Sequence, residues 1–353
     1  MSKKDRATKP ALLKHGSLKL PEVIVEGYSL ELHQGEDFLG DTVSKSAFND
    51  MVDLWRKVFT GIQGKDPLGT KPTAEMSKKR LDAFYAKGGA AAAVIHSACE
   101  DYAVQLAHVV QRFLRHKSWR GVKRIVVGGG FKQSDVGEQA IRRAAELLFL
   151  EGINVQMRLL RHHSDEGGLI GWVHLAPPKM LKHYDALLAV DIGGTNVRCG
   201  IVRMNPKKDP DLSDFQVLGR AKWGHAEDED ATRRTSVVQG IADMLKKLIS
   251  RAKKEKIALA PFVGVACPGW IQEDGSITKG AQNLPGNWES PNFFLARQLC
   301  ELLPKIDGQQ TQVRMHNDAV VQGLSELPAM TDVKRWAILT VGTGLGNASF
   351  KNR

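Results

Sequence analysis

Four short stretches hold the residue types that could do chemistry. Asp191-Ile-Gly-Gly-Thr195 lies between two apolar runs, Ala186–Val190 and Val197–Val202. Glycines such as Gly193 and Gly194 let a backbone turn tightly and bring its N–H groups against a phosphate. Thr195 adds a hydroxyl. Asp191, at the end of a buried strand, is placed to hold Mg²⁺ directly or through water. In a dinucleotide fingerprint the glycines lead into a helix; here they lead into a second strand. Gly342-Thr343-Gly344-Leu345-Gly346 repeats the device after Trp336–Val341. Either turn alone reads equally as an ordinary hairpin. Two of them suggest a duplicated build, with two phosphate loops facing one another.

His316-Asn317-Asp318 follows the strand Val313–His316 and precedes a helix over Ala319–Leu327. An aspartate there can take the proton of an attacking hydroxyl, steadied by the helix dipole. The same Asn-Asp pair also describes a plain helix cap. Pro268-Gly269, the turn signal Asp274-Gly275 and Asn283-Leu-Pro-Gly-Asn-Trp288 read as a hairpin and a rigid loop. Asn283 could bond sugar hydroxyls and Trp288 could cover a ring face, or the loop could be packed for structural reasons alone.

The elements around these stretches alternate. Val23, Val25, Tyr28, Leu30 and Leu32 suggest strands within Pro21–His33. Ser44–Phe59 reads as a helix and Gly61–Lys78 as a loop. Ala90–Leu114 carries one apolar face at three- and four-residue spacing, a long helix. Lys123–Val127 is a strand ending in Gly128-Gly129-Gly130. Helices follow over Gly137–Leu150 and Gly167–Leu175, with a strand over Asn154–Leu160 between them. Pro177-Pro178 stops the last helix and serves as a linker. Beyond it come a helix over Thr235–Lys254, a strand over Val263–Ala266 and a helix capped by Ser290 and running through Leu303. Strands alternating with helices give an α/β class.

The 353 residues are enough for two domains, and 42% hydrophobic content supports a sizeable core. Cys99, Cys199, Cys267 and Cys300 are scattered, with no CxxC pair for redox or zinc, which reads as reduced thiols in a cytoplasmic protein. No signal peptide and no membrane span are expected. The net charge is +11. Its lysines and arginines are spread along the chain, Lys3–Lys4 and Lys207–Lys208 among them, without interleaved aromatics. They read as a solvated surface rather than a nucleic-acid face, and basic charge can also favour polyanionic small substrates.

Taken in order, Asp191-Ile-Gly-Gly-Thr-Asn, Cys267-Pro-Gly with Asn-Leu-Pro-Gly-Asn-Trp, Asn317-Asp318 and Gly342-Thr-Gly-Leu-Gly resemble the ROK family. That family comprises sugar kinases and related repressors of the hexokinase–actin–heat-shock superfamily. The resemblance covers residues 185–350 and implies a two-lobed, actin-like (ribonuclease H-like) ATPase fold with a cleft between the lobes. It implies an ATP-dependent kinase, glucokinase-like, acting on a hexose or amino sugar. Gly193, Gly194, Thr195, Gly342, Thr343 and Gly344 would bind the ATP phosphates, and Asp191 the Mg²⁺. Asn283, Asn317 and Asp318 would bind the sugar, with Asp318 as the base.

The family proceeds from its second phosphate loop into a long helix, a strand with a glycine-rich adenosine turn and a closing Gly-Leu-hydrophobic-Gly helix. Ala90–Leu114, Arg124–Gly130 and Gly168-Leu-Ile-Gly171 resemble those parts but stand at the start of this chain. The implied arrangement is a circular permutation, with Gly128, Gly129 and Gly130 as the adenosine turn. Residues 1–20 are then a flexible basic arm and 21–178 most of the second, nucleotide-side lobe. Residues 179–333 are the first lobe with the first loop and the sugar site, and 334–353 the start of the second lobe. A domain swap between neighbouring chains would use the same linker, and a homodimer is left open. The family's cysteine-rich zinc motif is missing, so no zinc is expected. Its Glu-x-Gly-His sugar clamp has no match; Glu26-Gly27 and His33 lie in that region, and His162-His163 reads as a surface or loop pair rather than a substitute. A non-catalytic sugar sensor and a kinase using inorganic polyphosphate are the alternatives.

Overall fold

The computed structural model describes residues 13–204 and 215–353. The first part of the chain contains β1 (Val23–Tyr28), a short pair β2 (His33–Gln34) and β3 (Asp37–Phe38), then α1 (Lys45–Gln63), α2 (Lys78–Lys87) and α3 (Gly89–Arg115). After these come β4 (Arg124–Gly128), α4 (Asp135–Leu150), β5 (Gln156–Leu159), α5 (Gly167–Ile170) and α6 (Pro178–Leu181). The second part opens with β6 (Ala186–Ile192), β7 (Val197–Arg203), β8 (Gln216–Trp223), α7 (Arg234–Lys254) and β9 (Leu259–Cys267). It continues with α8 (Leu295–Leu302), the short pair β10 (Lys305–Ile306) and β11 (Gln309–Gln310), β12 (Gln312–Asn317), α9 (Asp318–Leu324), β13 (Arg335–Val341) and β14 (Leu345–Asn352).

Two five-stranded mixed sheets result, ordered β5-β4-β13-β14-β1 and β12-β9-β6-β7-β8. Each has three parallel strands followed by two antiparallel ones. In each, a glycine loop joins the third parallel strand to its antiparallel neighbour: β6 to β7 and β13 to β14. The repeated device read from the sequence therefore sits at equivalent corners of two sheets of like build. Strand β13 comes from the end of the chain and β4 from its first half, yet they pair in parallel, Trp336 opposite Arg124 and Thr340 opposite Gly128. Beside them β1 and β14 run antiparallel, Val23 opposite Asn352, and the Arg353 N–H donates to the Glu22 carbonyl at 3.0 Å.

Three apolar cores follow from the burial on the two faces of each sheet. One lies between the β6 sheet and helices α7 and α8. A second lies between the β4 sheet and α1, α3 and α4. The third is shared: Val126, Ile338 and Phe350 of one sheet and Leu187, Ala189 and Phe262 of the other bury against Leu169, Trp172, Val320 and Leu324. Trp172 reaches so close over Gly264 that a Cβ there would stand 2.1 Å from its ring. Segment 167–174 and α9 thus form the layer on which both sheets rest.

Several expectations need correction. Of the basic arm, residues 1–12 lie outside the described residues, as do Lys207–Lys208. Residues 13–20 are not loose. The Gly16 N–H donates to the Met315 carbonyl, the Met315 N–H to His15 Nδ1, and Leu20 is buried. Within the expected loop, α1 runs on to Gln63 and α2 begins at Lys78. Buried Arg56 pins the stretch between them, donating to Asp66, Thr73 and the Gly69 carbonyl. Helix α8 starts at Leu295 rather than beside Ser290. Among the described residues no helix is long and apolar enough to cross a membrane.

Candidate active site

A cavity of about 350 Å³ collects the glycine loops. Gly193, Gly194 and Thr195 line it from the first loop, and Gly342, Thr343, Gly344 and Gly346 from the second. Gly129 and Gly130, Asp191, Asn283 and Asp318 line it as well, all within one chain. The volume lies within the span usual for small-molecule sites.

Local geometry explains the loops. In the first, the Gly193 N–H donates to the Asn196 carbonyl at 2.9 Å, closing the hairpin between β6 and β7. A side chain on Gly194 would press on Asn283 at 3.2 Å, so this glycine allows the loop and Asn283 to touch. Nothing lies within 4 Å of where a Gly344 side chain would stand, which leaves that backbone open to the cavity. Gly129 is different. Its φ is +84°, and a Cβ would stand 2.3 Å from the Val341 carbonyl oxygen. The turn after β4 is thereby packed on the end of β13, where the second loop begins.

Some expected residues do other work. Asn317 is buried and absent from the lining; its Nδ2 donates to Ser29 Oγ at 3.1 Å and to the Gly269 carbonyl at 3.2 Å. Its Oδ1 accepts the Val320 N–H at 3.2 Å, capping α9. With both amide atoms engaged, Asn317 fixes the walls and is corrected from a sugar-contacting residue to a positioning one. Gly128 is also outside the lining; it makes room for Gln322, whose Oε1 would lie 2.3 Å from an added Cβ. Trp288 is buried, packed edge-on against Phe293 at 5.3 Å and bonded to the Pro285 carbonyl, so it covers no ligand ring.

Other residues emerge only from the fold. At Ser29 the chain leaves β1 with φ +46°, an uncommon conformation for a serine. Asn347 holds the bend: its carbonyl accepts the Ser29 N–H, and its side chain bonds both the N–H and the carbonyl of Leu30. The bend delivers Ser29 and Glu31 to the cavity, where Glu31 pairs with Lys279 at 2.5 Å. Glu26 instead pairs with Arg335, and the His33 ring packs on Phe38. The alternating pattern beside Glu31 was the available signal, and sequence alone does not separate it from Glu26. His162 and His163 lie in the loop after β5; His163 is exposed, and His162 bonds the Ser325 carbonyl at the end of α9.

Electrostatics centre on two carboxylates. Asp191 is buried, and burial raises its pKa, opposed by Arg198, whose Nη1 donates to it at 3.3 Å. Arg198 also lines the cavity and bonds Asp165. Gly168 closes over the Asp191 carboxylate, leaving no room for a side chain. Burial first, and then repulsion from Asp191, push the Asp318 pKa up to about 6, against a bond from the Ala319 N–H. Two mutually repelling, partly desolvated carboxylates suit a divalent cation. Among the described residues no group of three or more His, Cys, Asp or Glu gathers as a ligand set. Mg²⁺ needs none, since it is commonly held by one or two carboxylates plus substrate phosphates.

A family model described as the ROK family matches residues 187–353. No curated protein matches the chain. Among solved structures, a candidate N-acetylmannosamine kinase from Listeria monocytogenes, Lmo2764, is 25% identical, covering 47% of each chain with a TM-score of 0.33. The chain thus spans about half the length of that protein. An exopolyphosphatase-like protein is 10% identical over 71% of this chain and 86% of its own, with a TM-score of 0.33. The matched segment begins in β6 and takes in both glycine loops and Asn317-Asp318. The likeness to the ROK family is thus carried by residues 187–353, just under half of the chain.

Proposed function

We propose that this protein transfers the terminal phosphoryl group of ATP to a hydroxyl of a hexose or amino sugar. The observation that carries the reading is the meeting of Asp318, its pKa pushed up to about 6, with two glycine loops in one cavity. A carboxylate near that value is ionised at neutral pH and still basic enough to accept a proton. In the proposed step the sugar hydroxyl gives its proton to Asp318 while its oxygen bonds the γ-phosphorus. The bond from that phosphorus to the bridging oxygen breaks, and ADP leaves. The N–H groups of the glycine loops bond the phosphate oxygens as charge shifts among them. When bound, Mg²⁺ held through Asp191 supplies further charge neutralisation. Asn283, Ser29 and Glu31 hold the sugar, and Gly129 and Gly130 border the nucleoside.

The same reading takes the molecule as two lobes, 179–333 and 21–178 with 334–353, in circularly permuted order. Its support is the pairing of β13 with β4 and the meeting of Arg353 with Glu22. Purified protein offered a panel of hexoses and N-acetylhexosamines with Mg-ATP is expected to phosphorylate at least one. The turnover is expected to vanish in excess chelator. No ADP release above background with any sugar on the panel would overturn the reading.

A further inference from the structure

We propose that Lys45, Lys78 and Lys222 form a clamp at the rim of the cavity for a chain of three or more linked phosphates. The inference rests on the reading of the cavity as a phosphoryl-transfer site and adds to it the residues that select the donor. Each lysine is rooted at a different edge of the cavity. Lys78 is the first residue of α2, and its Nζ donates to the carbonyl of cavity-lining Gly130. Lys45 opens α1, and its own N–H donates to the Gly342 carbonyl at 2.9 Å, which seats it on the second glycine loop. Lys222 comes from the other sheet, on β8. Its Nζ lies 3.3 Å from Asp165, which bonds Arg198, and Arg198 bonds Asp191.

Lys45 and Lys222 stand near enough to Lys78 for their charges to oppose its own. Lys78 is half-buried, and burial, then Lys45, then Lys222 hold its pKa below the usual lysine range; each repulsion outranks the attractions of Asp165 and Asp82. Those two carboxylates already have partners, Asp165 in Arg198 and Asp82 in the N–H of Val136. Like charges drawn together beside two glycine loops are stabilised further by a polyanion. Compact, rotatable ammonium donors suit an extended, flexible phosphate chain. A nucleoside triphosphate and inorganic polyphosphate present the same chemistry.

The test compares the wild type with Lys78→Gln, which keeps an N–H to offer Gly130, and with a Lys45→Ala/Lys222→Ala pair at exposed positions. Calorimetry would measure binding of ATP and of inorganic tripolyphosphate without sugar. Donor KM, sugar KM and kcat would be measured alongside melting temperature. Both variants are expected to bind each probe at least about tenfold more weakly, as loss of one charge-assisted contact implies. Donor KM should rise to match, with sugar KM unchanged. Unchanged affinity for both probes in variants that melt like the wild type would overturn the clamp. Wild-type turnover with ATP alone, or with tripolyphosphate alone, identifies which source the clamp serves. A wild type that binds tripolyphosphate through these lysines yet phosphorylates no sugar would uphold the clamp and remove the kinase reading.

Discussion

Burial and the Asp191 carboxylate push the Asp318 pKa up to about 6, from 3.8 for an ordinary aspartate. Between about pH 4 and 6 the folded chain therefore binds more protons at this residue than the unfolded chain. Stability falls as pH rises through that window, and the loss persists at higher pH. Asp318→Asn removes the charge while keeping the shape. It should raise stability at pH 7.5 by on the order of 1–3 kcal/mol, with the gain shrinking toward pH 4. The same change should lower phosphoryl transfer by roughly 10²–10⁴-fold. Thermal melts across pH, paired with turnover, check both halves; a variant that keeps most of its turnover would remove Asp318 as the base. Wild-type kcat/KM should also show an acid limb near pH 6. Glu31 calls for another signature. It reaches the cavity only through the Ser29 bend, so Glu31→Gln should raise sugar KM by about 10-fold or more and leave donor KM alone. A rise in donor KM instead would place Glu31 on the nucleotide side.

At the scale of elements, two glycines facing one cavity should respond in opposite ways. Gly129 combines φ +84° with a 2.3 Å approach to the Val341 carbonyl. Gly129→Ala should cost about 2–4 kcal/mol and loosen the contact between the ends of β4 and β13. Gly344 has no atom within 4 Å of its missing side chain. Gly344→Ala should melt like the wild type while raising donor KM, because the methyl group enters the space a phosphate needs. Equal melting of the two variants would contradict this account. Strands β6, β13 and β4 were legible because buried parallel strands read as continuous apolar runs. Strand β8 was not. It is an edge strand interrupted at Gly219, φ +61°, where its pairing with β7 shifts register, so alternation breaks midway. Helix α2 was missed because only Leu81 among its ten residues is buried.

At the scale of the molecule, the order of parts invites a rearrangement. A chain beginning at Lys182, joining Arg353 to Leu13 by a flexible linker of about ten residues and ending at Pro177 should fold. It should keep kcat/KM within about tenfold, since neither junction interrupts a strand of either sheet. Failure to fold in the rearranged order would count against the permutation. What the sequence by itself determined is local: two strand–glycine–strand corners, an aspartate at a strand-to-helix junction, and the long amphipathic helix α3. Each is written in neighbouring residues, through apolar runs, spacing and the conformational range of glycine. Family order in those motifs added the expectation that Gly129 and Gly344 share one pocket. What only the tertiary structure decided is which side chains face that pocket. Asn317 caps α9 locally through the Val320 N–H, but its amide nitrogen turns inward because it bonds Ser29 and Gly269, supplied by other segments. Glu31 and Arg198 line it, and Lys78 bonds Gly130 beside it, because segments distant in the chain are brought together there. Orientation of a polar side chain depends on partners far away in the chain, and no local pattern encodes them.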